Sequence, residues 1–529
     1  MRSLGQRISR HRRACVILLG LLALAGRAML LPWMPPPKPG IQDEFSNLLA
    51  GQTFSLGRLT NPAHPMWVHF ETIHVLSQPT YASKYPPAMG LVFAFGQTVF
   101  GDPWIGVLLS SAVLCSSVCW ALQGWIAPAW ALVGTLLFLL RIGMVSYWTD
   151  SYWGGIPAAI GGALLIGAVP RLMRCPRKRE AALFAIGLAV LANSRPYEGL
   201  ALAVPCCLAL LWRFAKRVRK GQYSLACLVR TVALPMLAIL LPALIWMGYY
   251  NYRVTGDPLR VPYQAYETQY SFWSPFLWST HPREEPHYNH QAIRDVWEQW
   301  DGKRKQFERD HIAAVHLADV LKLDRFFLGV PLTLCMLAGV FPMVRSRKWR
   351  FAWSILLIFY LGMAMESTLV AHYAAPATAL IFLIVTASLR MLLSSFPRQW
   401  MIRALVIGLF LLLVAEPGVI RLFSPNTRFL FDQRDFIAQR DAVLKKLNEE
   451  PGAHLVFVRY GPRHDLNHEW VYNQADIDRS RIVWAHAMSD RRDDELLRYY
   501  PNRRAWILED DQTITLRPYA LYAAVGTGR

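Results

Sequence analysis

The sequence predicts a membrane all-α protein. A polytopic bundle of about eleven transmembrane helices occupies residues 1–421, and a small exported α/β or α+β domain occupies 422–529. Hydrophobic residues make up 54% of the 529 and charged residues only 17%, against about a quarter in soluble chains. Apolar runs long enough to cross a bilayer recur at 14–33, 104–122, 126–145, 156–173, 181–194, 199–213, 226–247, 327–344, 351–370, 374–393 and 402–421. Between them lie short basic runs: Arg7, Arg10, Arg12 and Arg13; Arg171, Arg174, Arg177, Lys178 and Arg179; Arg213, Lys216, Arg217, Arg219 and Lys220; and Arg345, Arg347, Lys348 and Arg350.

With the N-terminus inside, this layout puts every basic run in the cytoplasm and exports 34–102, 248–325 and the tail. Basic residues dispersed at membrane spacing exclude a nucleic-acid-binding arm, despite the net charge of +20. The first apolar run also has the basic start of a signal peptide, but no small-residue cleavage site follows it, so it reads as an anchor. Arg27 lies within this anchor, where it either snorkels outward or faces the protein interior. In 248–325 the aromatic "QYSFWSPFLW" precedes a polar helix, "NHQAIRDVWEQWDGKRKQFERDHIAAV", expected on the membrane surface or the exported face. In the tail, "RDFIAQRDAVLKKLNEE" has helical spacing, while "HLVFVRY", "RIVWAHAM", "AWILED" and "TITLRPY" read as strands. None of the eight cysteines falls in the long polar segments and none has metal-type spacing, which argues against structural disulfides; Cys206 and Cys207 read as small apolar helix residues.

The first exported segment concentrates polar groups: Asp43, Glu44, Asn47, Arg58, His64, His69, Glu71, His74 and Lys84. Adjacent residues on a helix point about 100° apart, so Asp43 and Glu44 cannot face one small site together. One of them can serve chemistry while the other caps or pairs, and an acid near a helix start is also a plain dipole partner. Asp150, in "SYWTDSYWGG", lies among Trp148, Tyr152 and Trp153, either as a sugar-holding carboxylate between stacking rings or within an interfacial aromatic belt. Arg195, in "NSRPYEG", binds an anion or pairs with Glu198. Glu366 and His372 sit near the exported end of a late span, as functional groups or as a hydrogen-bonded pair. In "STHPREEPHYNH", His281, Glu284, Glu285, His287 and His290 are metal-ligand types, but turns break their spacing and no metal is predicted. The "DID" at 476–478 reads as a turn.

A first transmembrane helix, the Asp43-Glu44 pair, then "GRLTNPAHPMW" and the Lys84-x-Pro-Pro entry to the next apolar helix resemble the GT-C membrane glycosyltransferases. The likeness is to protein O-mannosyltransferases, aminoarabinose transferases of lipid A, and the bacterial branch of lipopolysaccharide-core galacturonosyltransferases, and it covers roughly the first 200 residues and the multi-span layout. The resemblance implies transfer of a sugar from a polyprenyl-phosphate donor to a glycan, lipid or protein acceptor on the exported face of a bacterial inner membrane. It implies Asp43 as general base, with Glu44 orienting it or holding sugar hydroxyls. Lys84 and Arg195 are then expected at the donor phosphate, and Asp150, Trp148, Tyr152, Arg58 and His64 at the substrate. Some GT-C enzymes need a divalent cation, but no Asp-x-Asp in the exported loops indicates one, and no cofactor is expected. The tail does not match the better-known members; its exported position suggests acceptor positioning. Two rival classes remain: a transporter or flippase of lipid-linked sugars, for which no internal repeat is found, and an assembly protein whose tail binds a partner.

Overall fold

A computed structural model describes residues 11–279, 284, 286–394, 400–401, 404–405, 407–409, 411–413 and 434–519. Arg7, Arg10, His281, Glu285 and most of the expected 402–421 span lie outside the described residues. The described part is mostly helical. Among the described residues five helices are long and apolar enough to cross a membrane: Pro103–Trp125, Ile156–Arg174, Pro196–Arg219, Leu225–Thr255 and Ala375–Ser394. A sixth is counted if Ile312–Phe327 and Gly329–Val344, which meet at 104°, form one broken span.

Proline punctuates the helix starts. Pro87, Pro103, Pro128 and Pro196 each open a helix, where the missing N–H costs nothing and the fixed φ suits the first turn. Asp102 adds a side-chain cap to the Trp104 amide at 2.8 Å. Inside the bundle small residues let helices approach: a Cβ on Gly162 would lie 1.8 Å from the Pro376 carbonyl oxygen. Leu225–Thr255 has little buried surface, so its apolar side chains face outward, as on a helix solvated by lipid.

The polar segments form a second body. Helix Gln42–Ser55 is followed by three short antiparallel strands, β1 (Asn61–Pro62), β2 (Val75–Leu76) and β3 (Thr80–Ser83), in the order β1-β3-β2. The polar helix of the 248–325 loop packs on this unit: Ile293 and Trp297 share a core with Leu76, Ala82, Tyr266 and Tyr270.

The four strand-like runs of the tail are β4 (Ala453–Tyr460), β5 (Ile482–His486), β6 (Arg503–Asp510) and β7 (Ile514–Pro518), in the order β5-β4-β6-β7. β4 runs parallel to both β5 and β6, and β7 closes antiparallel on β6. Side chains alternate across β4 with period two. Val456 and Val458 pack with Phe436, Val443 and Leu447 of helix Arg434–Glu449. Leu455 and Phe457 pack with Leu49, Phe70, Val75 and Tyr81 of the 34–102 segment. The sheet therefore shares one of its two cores with residues some 400 positions earlier, and Phe45 stacks on Tyr472 with ring centres 4.5 Å apart.

Candidate active site

Asp43 and Glu44 occupy the first turn of helix Gln42–Ser55 and diverge as the helical angle requires. Glu44 turns into the protein. Its Oε2 accepts from the amides of Gly40 (2.8 Å) and Ile41 (3.3 Å), and its Oε1 accepts from Tyr152 N (2.9 Å). Burial pushes its carboxyl up to about 7, against the pull of those three donors. Asp43 stays half-buried and accepts a hydrogen bond from the Tyr85 hydroxyl. Burial raises its pKa above the ordinary value, while Tyr85 and the charges of Lys84 and Arg195 pull the other way.

Lys84 follows β3 and is only 4% exposed. Its ammonium lies 3.4 Å from Glu267 Oε1 and over the rings of Tyr266 (4.7 Å), Tyr263 (4.8 Å), Tyr85 (5.5 Å) and Trp297 (5.9 Å). Burial lowers its pKa, while the Glu267 and Asp43 carboxylates support its charge. This is a desolvated cation held by ring faces and one carboxylate. Arg195, at the head of helix Pro196–Arg219, lies 3.3 Å from Glu198 and 4.3 Å over the Tyr373 ring. The Ala88 amide donates to the Asn193 carbonyl at 3.0 Å, joining the Lys84-Tyr85-Pro86-Pro87 stretch to the Arg195 junction. Asp43, Lys84 and Arg195, more than 100 residues apart at the extremes, are thus brought within electrostatic reach of one another.

His74 was only one of many polar residues in the sequence, and the structure gives it a special place. It adopts a left-handed backbone (φ +66°), strained for a non-glycine residue. The conformation is held from both sides: its amide donates to Tyr266 Oη (2.7 Å), and its carbonyl accepts from Ser46 Oγ (2.6 Å) and the Lys84 amide (3.2 Å). Its ring faces Tyr85 and Tyr266, and burial, then the Lys84 charge, hold its pKa well below the ordinary value.

The other expected site residues are engaged with partners of their own. Asp150 pairs with the buried Arg27 guanidinium at 2.6 Å; Arg27 therefore faces the interior and also donates to the Met34 carbonyl (2.7 Å). Trp148 is 1% exposed, packed on Phe326 and Phe327, with Gly154 and Gly155 so close that a Cβ on either would meet it at 2.9 Å. Tyr152 is buried edge-on to Phe93. These rings have no free face for a sugar, because the loop that carries them is folded into the bundle. Arg58 and His64 turn to the C-terminal domain, toward Asp476 (4.0 Å) and Asp478 (3.1 Å) of the "DID" turn. His372 Nδ1 lies 3.0 Å from the Tyr147 hydroxyl, and Glu366 is within electrostatic reach of Arg195. His290 lies against the Val68 carbonyl (2.6 Å) and stacks on His486. Among the described residues no three His, Cys, Asp or Glu side chains converge as metal ligands.

The sequence reading missed the cage around Lys84. "PYQAYETQY" places Tyr263, Tyr266, Glu267 and Tyr270 three and four apart, hence on one helix face, and that spacing was the available signal.

No protein-family model matches the chain, and no curated protein matches it in sequence. Among solved structures, the apo form of ArnT from Cupriavidus metallidurans superposes with a TM-score of 0.51 at 13% identity, over 97% of this chain and 94% of that one. ArnT bound to undecaprenyl phosphate gives 0.49 at 12% identity over the same shares. An Archaeoglobus fulgidus oligosaccharyltransferase tethered to an acceptor peptide gives 0.49 at 10%, over 94% of this chain and 68% of that one. The apo ArnT match shows that this chain shares the fold of that protein.

Proposed function

We propose that the chain is a multi-pass glycosyltransferase of a bacterial inner membrane, with about eleven crossings, a cytoplasmic N-terminus and an exported C-terminal domain. It moves a sugar from a polyprenyl-phosphate donor to an acceptor on the exported face. The observation that carries this reading is the half-buried Asp43 carboxylate, raised in basicity by burial and within electrostatic reach of the buried Lys84 and the half-buried Arg195, in the helix that follows the first apolar one. In the reaction an acceptor hydroxyl attacks the anomeric carbon while its proton passes to Asp43. The bond from that carbon to the phosphate oxygen breaks, and its electron pair stays with the phosphate. Lys84 and Arg195 stabilise the developing phosphate charge, which needs no protonation to leave. Tyr85 orients Asp43 through its hydroxyl. Glu44 positions Asp43 by fixing the helix start to the Tyr152 loop. Asp150, Trp148, Tyr152, Arg58 and His64 belong to the frame around the site.

Reconstitution in proteoliposomes separates transferase from flippase. With a polyprenyl-phosphate sugar supplied in the outer leaflet, the native chain is expected to cleave the sugar–phosphate bond and glycosylate an added envelope extract. Movement of intact donor across the bilayer without bond cleavage would refute the proposal.

A further inference from the structure

A cleft of about 650 Å³ separates the second exported loop from the C-terminal domain. We infer that it is the acceptor port and that it takes a neutral or amino saccharide, an assignment that rests on the transferase reading above. Both of its walls are fastened to the candidate active site. On one wall, the Trp300 ring lies 6.3 Å from His74, which in turn faces Tyr85. On the other, the Asn467 carbonyl accepts from Gln42 Nε2 at 2.9 Å, one residue before Asp43. A ligand filling the cleft therefore borders on both supports of the Asp43–Lys84 pair.

The wall that carries Trp300 is a π-helical turn, Glu298–Arg304, an irregularity that recurs at functional sites. It is pinned from behind: the buried Asp301 accepts from Ser271 Oγ and the Trp273 amide, both at 2.8 Å, and pairs with Lys305. The backbone next to Trp300 is thereby anchored. Seven of the ten residues lining the cleft carry polar or charged side chains, so a lipid tail finds no complement there. Asp295, Glu298 and Asp465 outnumber Lys303, which disfavours phosphates and other anions. The volume suits one or two sugar rings rather than a protein footprint. An aromatic face for the C–H side of a ring, with carboxylates and an amide for its hydroxyls, matches a saccharide's two surfaces.

Saturation-transfer NMR on the purified full chain in detergent tests this, with methyl glucoside, methyl glucosaminide, methyl galacturonide and tri-lysine as probes. The glucoside and glucosaminide are expected to receive saturation and the galacturonide little. Trp300→Ala is expected to weaken the signal about tenfold, and Asp465→Asn to reduce it. Trp300→Phe keeps a ring face and should stay near native, separating lost stacking from misfolding. No saccharide signal, a signal unchanged in Trp300→Ala, or stronger binding of the galacturonide or the peptide would overturn the assignment. The two readings fail separately. Saccharide saturation without donor turnover leaves the cleft standing and removes the transferase. Donor turnover without saccharide saturation does the reverse.

Discussion

Replacing Asp150 by Asn distinguishes a residue that touches substrate from one that neutralises a buried cation. Arg27 has a side chain 1% exposed, and Asp150 lies 2.6 Å away with 32% of its own side chain exposed. The other hydrogen bond described for the guanidinium goes to the neutral Met34 carbonyl, and its Nε is buried without a partner. Breaking a buried pair by removing one member costs about 3–5 kcal/mol, because a charge is left stranded. Asp150 is itself partly exposed, so the lower figure of about 3 kcal/mol applies. Arg27→Met with Asp150→Leu removes both charges and is expected within about 1 kcal/mol of native. The assay is thermal unfolding in detergent, followed by size-exclusion of the surviving monomer, combined as a double-mutant cycle. A native melting temperature in Asp150→Asn with transfer abolished would refute the reasoning and return Asp150 to the substrate.

Three further outcomes are expected. Glu44 is held at about 7 in the fold, so it contributes about 3 kcal/mol of stability below pH 4.5 that is lost as pH rises through 7; Glu44→Gln should flatten this alkaline fall in melting temperature. His290 has the opposite sign: burial lowers it to about 4, so stability is full above 6.5 and about 3 kcal/mol is lost as pH falls to 4; His290→Gln should flatten the acid limb. Lys84→Met should cut transfer about a hundredfold, and Lys84→Arg should rescue little, since the four-ring cage fits a compact ammonium; full activity in either variant would remove Lys84 from the donor phosphate.

The elements that one local signal defines were legible in the sequence. Apolar runs marked the helices Pro103–Trp125 and Ile156–Arg174, and short strand-like runs marked β4 to β7. The 100° divergence of Asp43 and Glu44 follows from helix geometry alone. What escaped depends on distant pairing. Arg27 could snorkel or point inward, and only its meeting with Asp150, 123 residues on, decides between them. Trp148 and Tyr152 carry the composition of a sugar platform, yet the close approach of Gly154 and Gly155 buries Trp148. The tail reads as a domain of its own, but one face of its sheet packs on Leu49, Phe70, Val75 and Tyr81 of the 34–102 segment, a partner that no local pattern announces. The same holds for the Lys84 cage, assembled from Tyr85, just after β3, and two helices of the 248–325 loop.

The most direct measurement is the turnover of Asp43→Asn with a purified polyprenyl-phosphate sugar. Asn keeps the shape and can still accept from Tyr85, but it cannot take a proton from the acceptor. The account predicts kcat lowered by about 10²–10⁴ with donor KM changed little; near-native kcat in this variant would contradict it.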